Sequence, residues 1–510
     1  TAPRFPMSQA SSTNPAADAI RRAEIDRSLR HPVMFFFTSG AAWLAVAILL
    51  GIISSAKVHS PGFLDGFSFL TYGRVQPAHM TALIYGWGCQ AAFGMLVWLM
   101  ARLSRQECRA AGMILTAGHL WNLAVSAGVI GILAGKGTGI PWMEFPAFAW
   151  IPMLIAYAAI GIWSMIQFKV RPAGHVFISQ WYILAALIWF PWIFVTAHLL
   201  IHGFSDSPLM AAAVNAWYRS ALLFLFFTPT ALAAAYYLIP KVTGRPVYSY
   251  TLSLLGFWSL AAIAPWAGMQ KLAGAPIPAF LPYLGAAATI LIAIPAIAVS
   301  INLLKTAASG WDTVVNSPSL RFTVAGVIGL LTLGFACTFL NVPRILPLSQ
   351  FSLSGYGFDI LALYGFFSFI AFGMIYFIVP RITRREWLSS RMIKIHFFLS
   401  VYGVLTVALV ALFGGIMQGQ AQEDYKQPWE NAMEYAYPYA VASTLSWCFL
   451  LLSNVFFFLH LALMWLRLGR RSSHPTLLGH AHHDDLHDAT HGPEGDIDNA
   501  GPGSAPAHSH

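Results

Sequence analysis

Long apolar runs recur about every 35 to 40 residues along this chain, each long enough to cross a bilayer as a helix of roughly 20 residues. No water is present in the bilayer core to satisfy backbone N–H and C=O groups, so a spanning segment must form its hydrogen bonds internally or close into a barrel. A barrel would show short segments alternating apolar and polar residues, and those are absent. Twelve spans are predicted, at 33–55, 77–101, 111–134, 147–168, 177–201, 213–239, 250–268, 280–304, 322–341, 357–379, 393–416 and 437–466. Prolines inside spans, such as Pro191 and Pro229, are read as tolerated kinks. Only 10% of residues are charged, against about a quarter in an ordinary soluble domain. The fold class is an all-α integral membrane protein.

Basic residues test the count. Alternate segments carry Arg4, Arg21, Arg22, Arg27 and Arg30; Arg102, Arg105 and Arg109; Lys169 and Arg171; Lys241 and Arg245; and Lys305 and Arg321. The same side then carries Arg381, Arg384, Arg385, Arg391 and Lys394, and finally Arg467, Arg470 and Arg471. That places 22 of the 29 Lys and Arg on one side, with Lys57, Arg74, Lys136, Lys271, Arg344 and Lys426 opposite and Arg219 inside a span. The basic side is expected to be cytoplasmic, and both termini with it. The net charge of +9 follows from this bias and does not point to nucleic acid.

Residues 1–31 form a polar N-terminal segment without a signal-peptide core, 32–468 the membrane domain, and 469–510 a polar tail expected to be disordered. The tail holds eight histidines with several aspartates, a composition open to divalent metal or to simple solvation. Cys89, Cys108, Cys337 and Cys448 lack metal-type spacing, and three of them read as small core hydrophobes.

The run "YYLIPKVTGRPVYSYTLSLLGFWSLAAIAPWAGMQKL", Tyr236 to Leu272, carries a more specific signal. It resembles subunit I of haem–copper oxidases, in particular the cbb-type branch, which has a very similar order of YY, PK, GRPVYSY, FW and WAG. Further similar stretches are "QPAHMTALIYGWGCQAAFG", "SQWYILAALIWFPW" and "LYGFFSFIAFGMIYFIVPR". Together they cover most of residues 70–385, and twelve spans is that family's core number. The resemblance implies a twelve-helix bundle, a respiratory electron-transfer role, two haems and a copper held by six histidines, and a tyrosine at the dioxygen site.

The resemblance carries over unevenly. The low-spin haem histidine of span two is retained as His79. The copper histidine of span six falls on Ser220, the adjacent copper histidines of span seven fall on Gln270 and Lys271, and the tyrosine falls on Ala264. The HxH of span ten falls on Phe358 and Ile360, with Asp359 between them. Haem iron and copper require imidazole donors here, so copper is not expected, and at most one haem b.

His79 reads either as a hydrogen-bonded core histidine or as a haem ligand with a new partner, for which His198 is the candidate. His198 and His202 share a helix face, one turn apart. The topology places Arg219, Lys271 and Asp359 all in the outer third of the membrane. A buried charge survives only if paired or wet, so Arg219 or Lys271 is expected to pair with Asp359. The competing reading has Lys271 snorkelling to the surface and Arg219 facing a loop. Tyr236, Tyr237, Tyr248 and Tyr250 read as interfacial aromatics.

The expected protein is a degenerate subunit I of a bacterial-type inner membrane complex, with a structural, assembly or proton-conducting role. Its expected partners are the bilayer and other respiratory membrane subunits, among them c-type cytochromes. The rival is an active terminal oxidase or nitric oxide reductase with unorthodox ligands. A transporter would show inverted repeats around broken helices, and no repeat is found.

Overall fold

Packing distinguishes two kinds of helix in this computed structural model, which describes residues 15–172, 174, 176–203 and 207–469. Twelve helices among them are long and apolar enough to cross a membrane. They are α1 (Pro15–His59), α2 (Tyr72–Ser104), α3 (Ala111–Leu133), α4 (Ala147–Lys169), α5 (Ile178–His202) and α6 (Pro208–Thr243). The second half comprises α7 (Tyr250–Leu272), α8 (Phe280–Ala308), α9 (Pro318–Leu340), α10 (Leu353–Thr383), α11 (Ser390–Glu423) and α12 (Trp429–Trp465).

In α2, α6 and α10 the most apolar stretch is wholly buried, whereas in the other nine about half or less is buried in all but α1. A helix that is apolar all round belongs in the centre of a bundle. These three touch one another pairwise, and the remaining nine surround them. Neighbours in the ring include α1 with α12, α12 with α11, α9 with α8, α8 with α7, and α3 with α4. Edge-to-face contacts of Trp181 and Tyr182 of α5 with Phe257 of α7 close another part of it.

Each central helix is interrupted by a π-helical stretch: Ala82–Gly88 in α2, Leu223–Phe227 in α6 and Leu361–Ser368 in α10. Such widened turns are rare and cluster at functional sites. Side-chain hydroxyls satisfy the carbonyls they disturb. Thr228 Oγ1 donates to the Leu223 carbonyl at 2.9 Å, and Ser368 Oγ to that of Leu363 at 2.7 Å. Trp87 Nε1 donates to Ser368 Oγ at 2.7 Å and ties the π turn of α2 to that of α10. Gly329 of α9 lets the backbone approach closely, since a Cβ there would collide with the Gly365 carbonyl.

The polar stretch before Pro32 continues α1 from Pro15. Ile25 and Leu29, four residues apart on one face, are buried, and Asp26 accepts from Trp98 Nε1 of α2 at 2.9 Å. The segment read as 1–31 is therefore helical over its described part, while residues 1–14 and the His-rich tail from 470 lie outside the described residues. Tyr236 and Tyr237 differ from expectation: both are buried in the bundle, not interfacial. Tyr236 stacks on Tyr182 and accepts from Asn302 Nδ2 at 3.3 Å, so α8 supplies the polar partner that the interface would otherwise supply. Tyr248 is exposed, as an interfacial residue would be.

Candidate functional site

The even-numbered helices α2, α6 and α10 begin where the odd-numbered α7 and α9 end, and at that end they enclose a cavity of about 570 Å³. Its wall includes Arg219, Ser220, Gln270, Lys271, Phe358 and Asp359, so the topology brings together residues up to 140 positions apart. Ala264 and Ile360 are buried next to this region in the chain but are not in the wall.

Arg219 Nη2 of α6 donates to Asp359 Oδ2 of α10 at 2.6 Å, with the two side chains 19% and 8% exposed. The guanidinium also lies over the Trp142 ring, 5.5 Å from its centroid, while its Nε has no acceptor. Lys271 faces the same wall, and its ammonium has no partner among the described residues. Gln270 is used locally: its Oε1 accepts from the Gly268 N–H at 2.9 Å. Gly268 itself has φ +114°, and a Cβ there would strike the Ala216 carbonyl, so only glycine lets α7 end against α6. Gln350 Nε2 then donates to the carbonyls of Lys271 and Ala273 at 3.1 Å each, fixing the segment that carries the lysine.

Sequence reasoning missed Glu144, in the link between α3 and α4. It lines the cavity at 6% exposure, with Oε2 unpartnered. Burial raises its carboxyl to about 7, against the pull of backbone hydrogen bonds at Trp142 and Glu144 and of the Arg219 charge. The available signal was an acid in "GIPWMEFPAF", a stretch otherwise apolar or turn-forming.

His79 lies outside the cavity wall, fully buried between three helices. Its Nδ1 is 2.7 Å from the Ala47 carbonyl of α1, which can only accept, so Nδ1 carries the proton. Nε2 faces the Tyr356 hydroxyl of α10 at 3.4 Å, and Trp447 of α12 meets the ring edge-to-face at 5.0 Å. A Cβ at Gly51 would come within 2.9 Å of the imidazole, so the socket is closed on that side too. His198 occupies a separate aromatic socket of Phe145, Trp150, Phe194 and Tyr218. Its Nδ1 bonds the Phe194 carbonyl at 2.8 Å and its Nε2 is buried without a partner. His79 and His198 thus share no ring neighbour, and His202 stands 5.9 Å from His198, ring centre to ring centre. Among the described residues, no three His, Cys, Asp or Glu side chains are grouped to hold a metal ion.

Comparison with known proteins places this architecture. The family described as Cytochrome C and Quinol oxidase polypeptide I matches residues 31–464. A cytochrome c oxidase subunit 1 homolog of Azorhizobium caulinodans is 27% identical over 393 residues, covering 74% of this chain and 70% of that one. The cbb3-type cytochrome c oxidase subunit CcoN1 of Stutzerimonas stutzeri is 25% identical over 387 residues, covering 74% of this chain and 81% of that one. A cryo-EM structure of a heme-copper terminal oxidase dimer superposes with a TM-score of 0.70 at 14% identity, covering 89% of each chain. Proteins of this family normally bind haem and copper. This multi-pass membrane chain belongs to the haem–copper oxidase subunit I family, the cytochrome c and quinol oxidase polypeptide I proteins.

Proposed function

We infer that this chain is a degenerate subunit I that does not hold copper or the high-spin haem and serves a respiratory complex in a structural, assembly or proton-conducting role. One observation carries the reading. Where the resemblance puts the copper and span-ten ligands, the cavity wall is formed by Ser220, Gln270, Lys271 and Phe358, with the Arg219–Asp359 pair joining α6 to α10. Copper and haem iron need neutral nitrogen donors on rigid helices. A hydroxyl, an amide, an ammonium and a phenyl ring do not fit them, and a guanidinium adds like charge beside a cation. His79 fits a hydrogen-bonded core role, because both ring nitrogens already face partners. It is the single retained position at which one haem b is compatible with the sequence.

The proposed partners are other membrane subunits, among them c-type cytochromes. The proposed location is a bacterial-type inner membrane with the basic, terminus-bearing face in the cytoplasm. A reduced-minus-oxidised visible spectrum of the purified chain, with metal analysis, tests the reading. The expected result is no stoichiometric copper and at most one haem. Copper at one per chain, or two haems, overturns it in favour of an active terminal oxidase or nitric oxide reductase with unorthodox ligands.

A further inference from the structure

A second cavity, of about 400 Å³, lies at the opposite end of the bundle and is polar where the first is largely apolar. Arg27 and Arg30 of α1, Arg381 and Thr383 of the last turn of α10, Arg384 and Arg385 beyond it, and Arg467 beyond α12 form its wall with Ile382. Three segments far apart in sequence thus bring six arginines to one pocket, and among the described residues its wall contains no acid. Arg381 is engaged within its own helix, donating to the Phe377 carbonyl at 2.7 Å and lying over the Phe377 ring. Arg385 donates one N–H to the Gly469 carbonyl at 2.8 Å, which leaves its other donors. Arg27, Arg30, Arg384 and Arg467 have no acceptor among the described residues, and the Nε of Arg30 is buried. The nearby carboxylate of Asp26 accepts from Trp98 Nε1 at 2.9 Å and lies 3.9 Å from Arg102.

A general excess of basic residues on one membrane face does not require them to converge. Here they do. Arg384 and Arg467 follow helix ends with φ of 53° and 56°, left-handed conformations in which glycine is the usual residue. Guanidinium groups facing one another repel unless an anion lies between them, and their planar donor fork matches phosphate oxygens in pairs. Basic pockets between membrane helices are suited to anionic head groups. A single monoanion leaves most of this charge uncompensated, and the volume admits a larger group.

We propose that this pocket binds an anion carrying two phosphate groups, held by Arg27, Arg30, Arg384, Arg385 and Arg467. Two sources share that chemistry: a bisphosphorylated lipid head group and a soluble diphosphate. The test uses the full chain in phosphatidylcholine nanodiscs, with either cardiolipin added to the bilayer or pyrophosphate added to the buffer, read by thermal stabilisation and by native mass spectrometry. Stabilisation by cardiolipin alone supports the site and assigns it to lipid, and stabilisation by pyrophosphate supports the site and assigns it to a soluble ligand. Arg30→Gln, Arg384→Gln and Arg467→Gln should each weaken binding about fivefold, as expected for one basic residue at an anionic surface. Arg391→Gln, at the same end but outside the pocket, should leave binding unchanged. Raising salt from about 0.1 M to about 1 M, which shortens the screening length from roughly 10 to 3 Å, should weaken wild-type binding. No stabilisation by either probe, or equal loss in Arg391→Gln and the pocket variants, overturns the proposal. So does binding that appears only after Asp484, Asp485 and Asp488 are changed to Asn, because the chain's own acidic tail would then be the occupant.

Discussion

Arg219 and Asp359 join α6 to α10 through a 2.6 Å hydrogen-bonded ion pair beside the Trp142 ring, at the end of the bundle where the 570 Å³ cavity opens. Lys271, the other cation considered for Asp359, shares the cavity without a hydrogen bond or ion pair among the described residues.

Breaking this pair leaves a desolvated charge. Asp359→Asn is expected to destabilise the protein by about 3 kcal/mol and to lower the folded amount in the membrane. Arg219→Gln should do the same, and the double variant should recover part of the loss. Lys271→Gln should cost less than either. Thermal unfolding of the four variants in detergent measures this, and strict additivity of the two single changes would count against a coupled pair. A tolerant Asp359→Asn would instead mark a hydrated aspartate and favour proton transfer as the role of the cavity.

Glu144 predicts a pH dependence. Its carboxyl is raised to about 7 in the folded protein, so between its ordinary range and 7 the native state binds more protons than the unfolded one. Stability is therefore highest below that window and falls as pH rises through it, by about 3 kcal/mol in all. Glu144→Gln should remove this part of the stability–pH profile, and an unchanged slope between about pH 5 and pH 7.5 would sink the assignment.

Gly268 and Gly274 separate backbone strain from packing. Both have positive φ, +114° and +86°, but a Cβ at Gly268 meets the Ala216 carbonyl whereas at Gly274 it meets open space. Gly268→Ala should cost about 2–4 kcal/mol, strain and overpacking together, and Gly274→Ala about 1 kcal/mol. Unfolding midpoints in denaturant check the difference, and equal losses would contradict the close approach.

Orientation can be read with reporters. A fusion after Arg471 should report the cytoplasm and an insertion near Glu430 the opposite side, because 22 of 29 basic residues favour that arrangement. The opposite pair of signals would reverse the assignment of both cavities to membrane faces.

The number and order of the spans were determined by the sequence alone, because a run of about 20 apolar residues in a bilayer has few options besides a helix. The family was legible for a related reason: GRPVYSY and its neighbouring motifs combine turn, aromatic and basic residues that hydropathy alone does not specify. Which helices form the centre was not legible. Lipid chains are as apolar as a protein interior, so hydropathy does not separate a lipid-facing surface from a buried one. The wholly buried stretch of α2 is less apolar than the half-buried stretch of the ring helix α8. The π turns were equally hidden, since they depend on how Ser368 and Thr228 meet displaced carbonyls within a packed core. Asp359 stood out as a charge in an apolar run, but its partner depended on where α6 and α7 end relative to α10. Only the tertiary structure brought Arg219 to 2.6 Å, turned Glu144 inward from a loop, and enclosed His79 between Ala47 and Tyr356, because each contact joins segments whose separation in sequence carries no distance information.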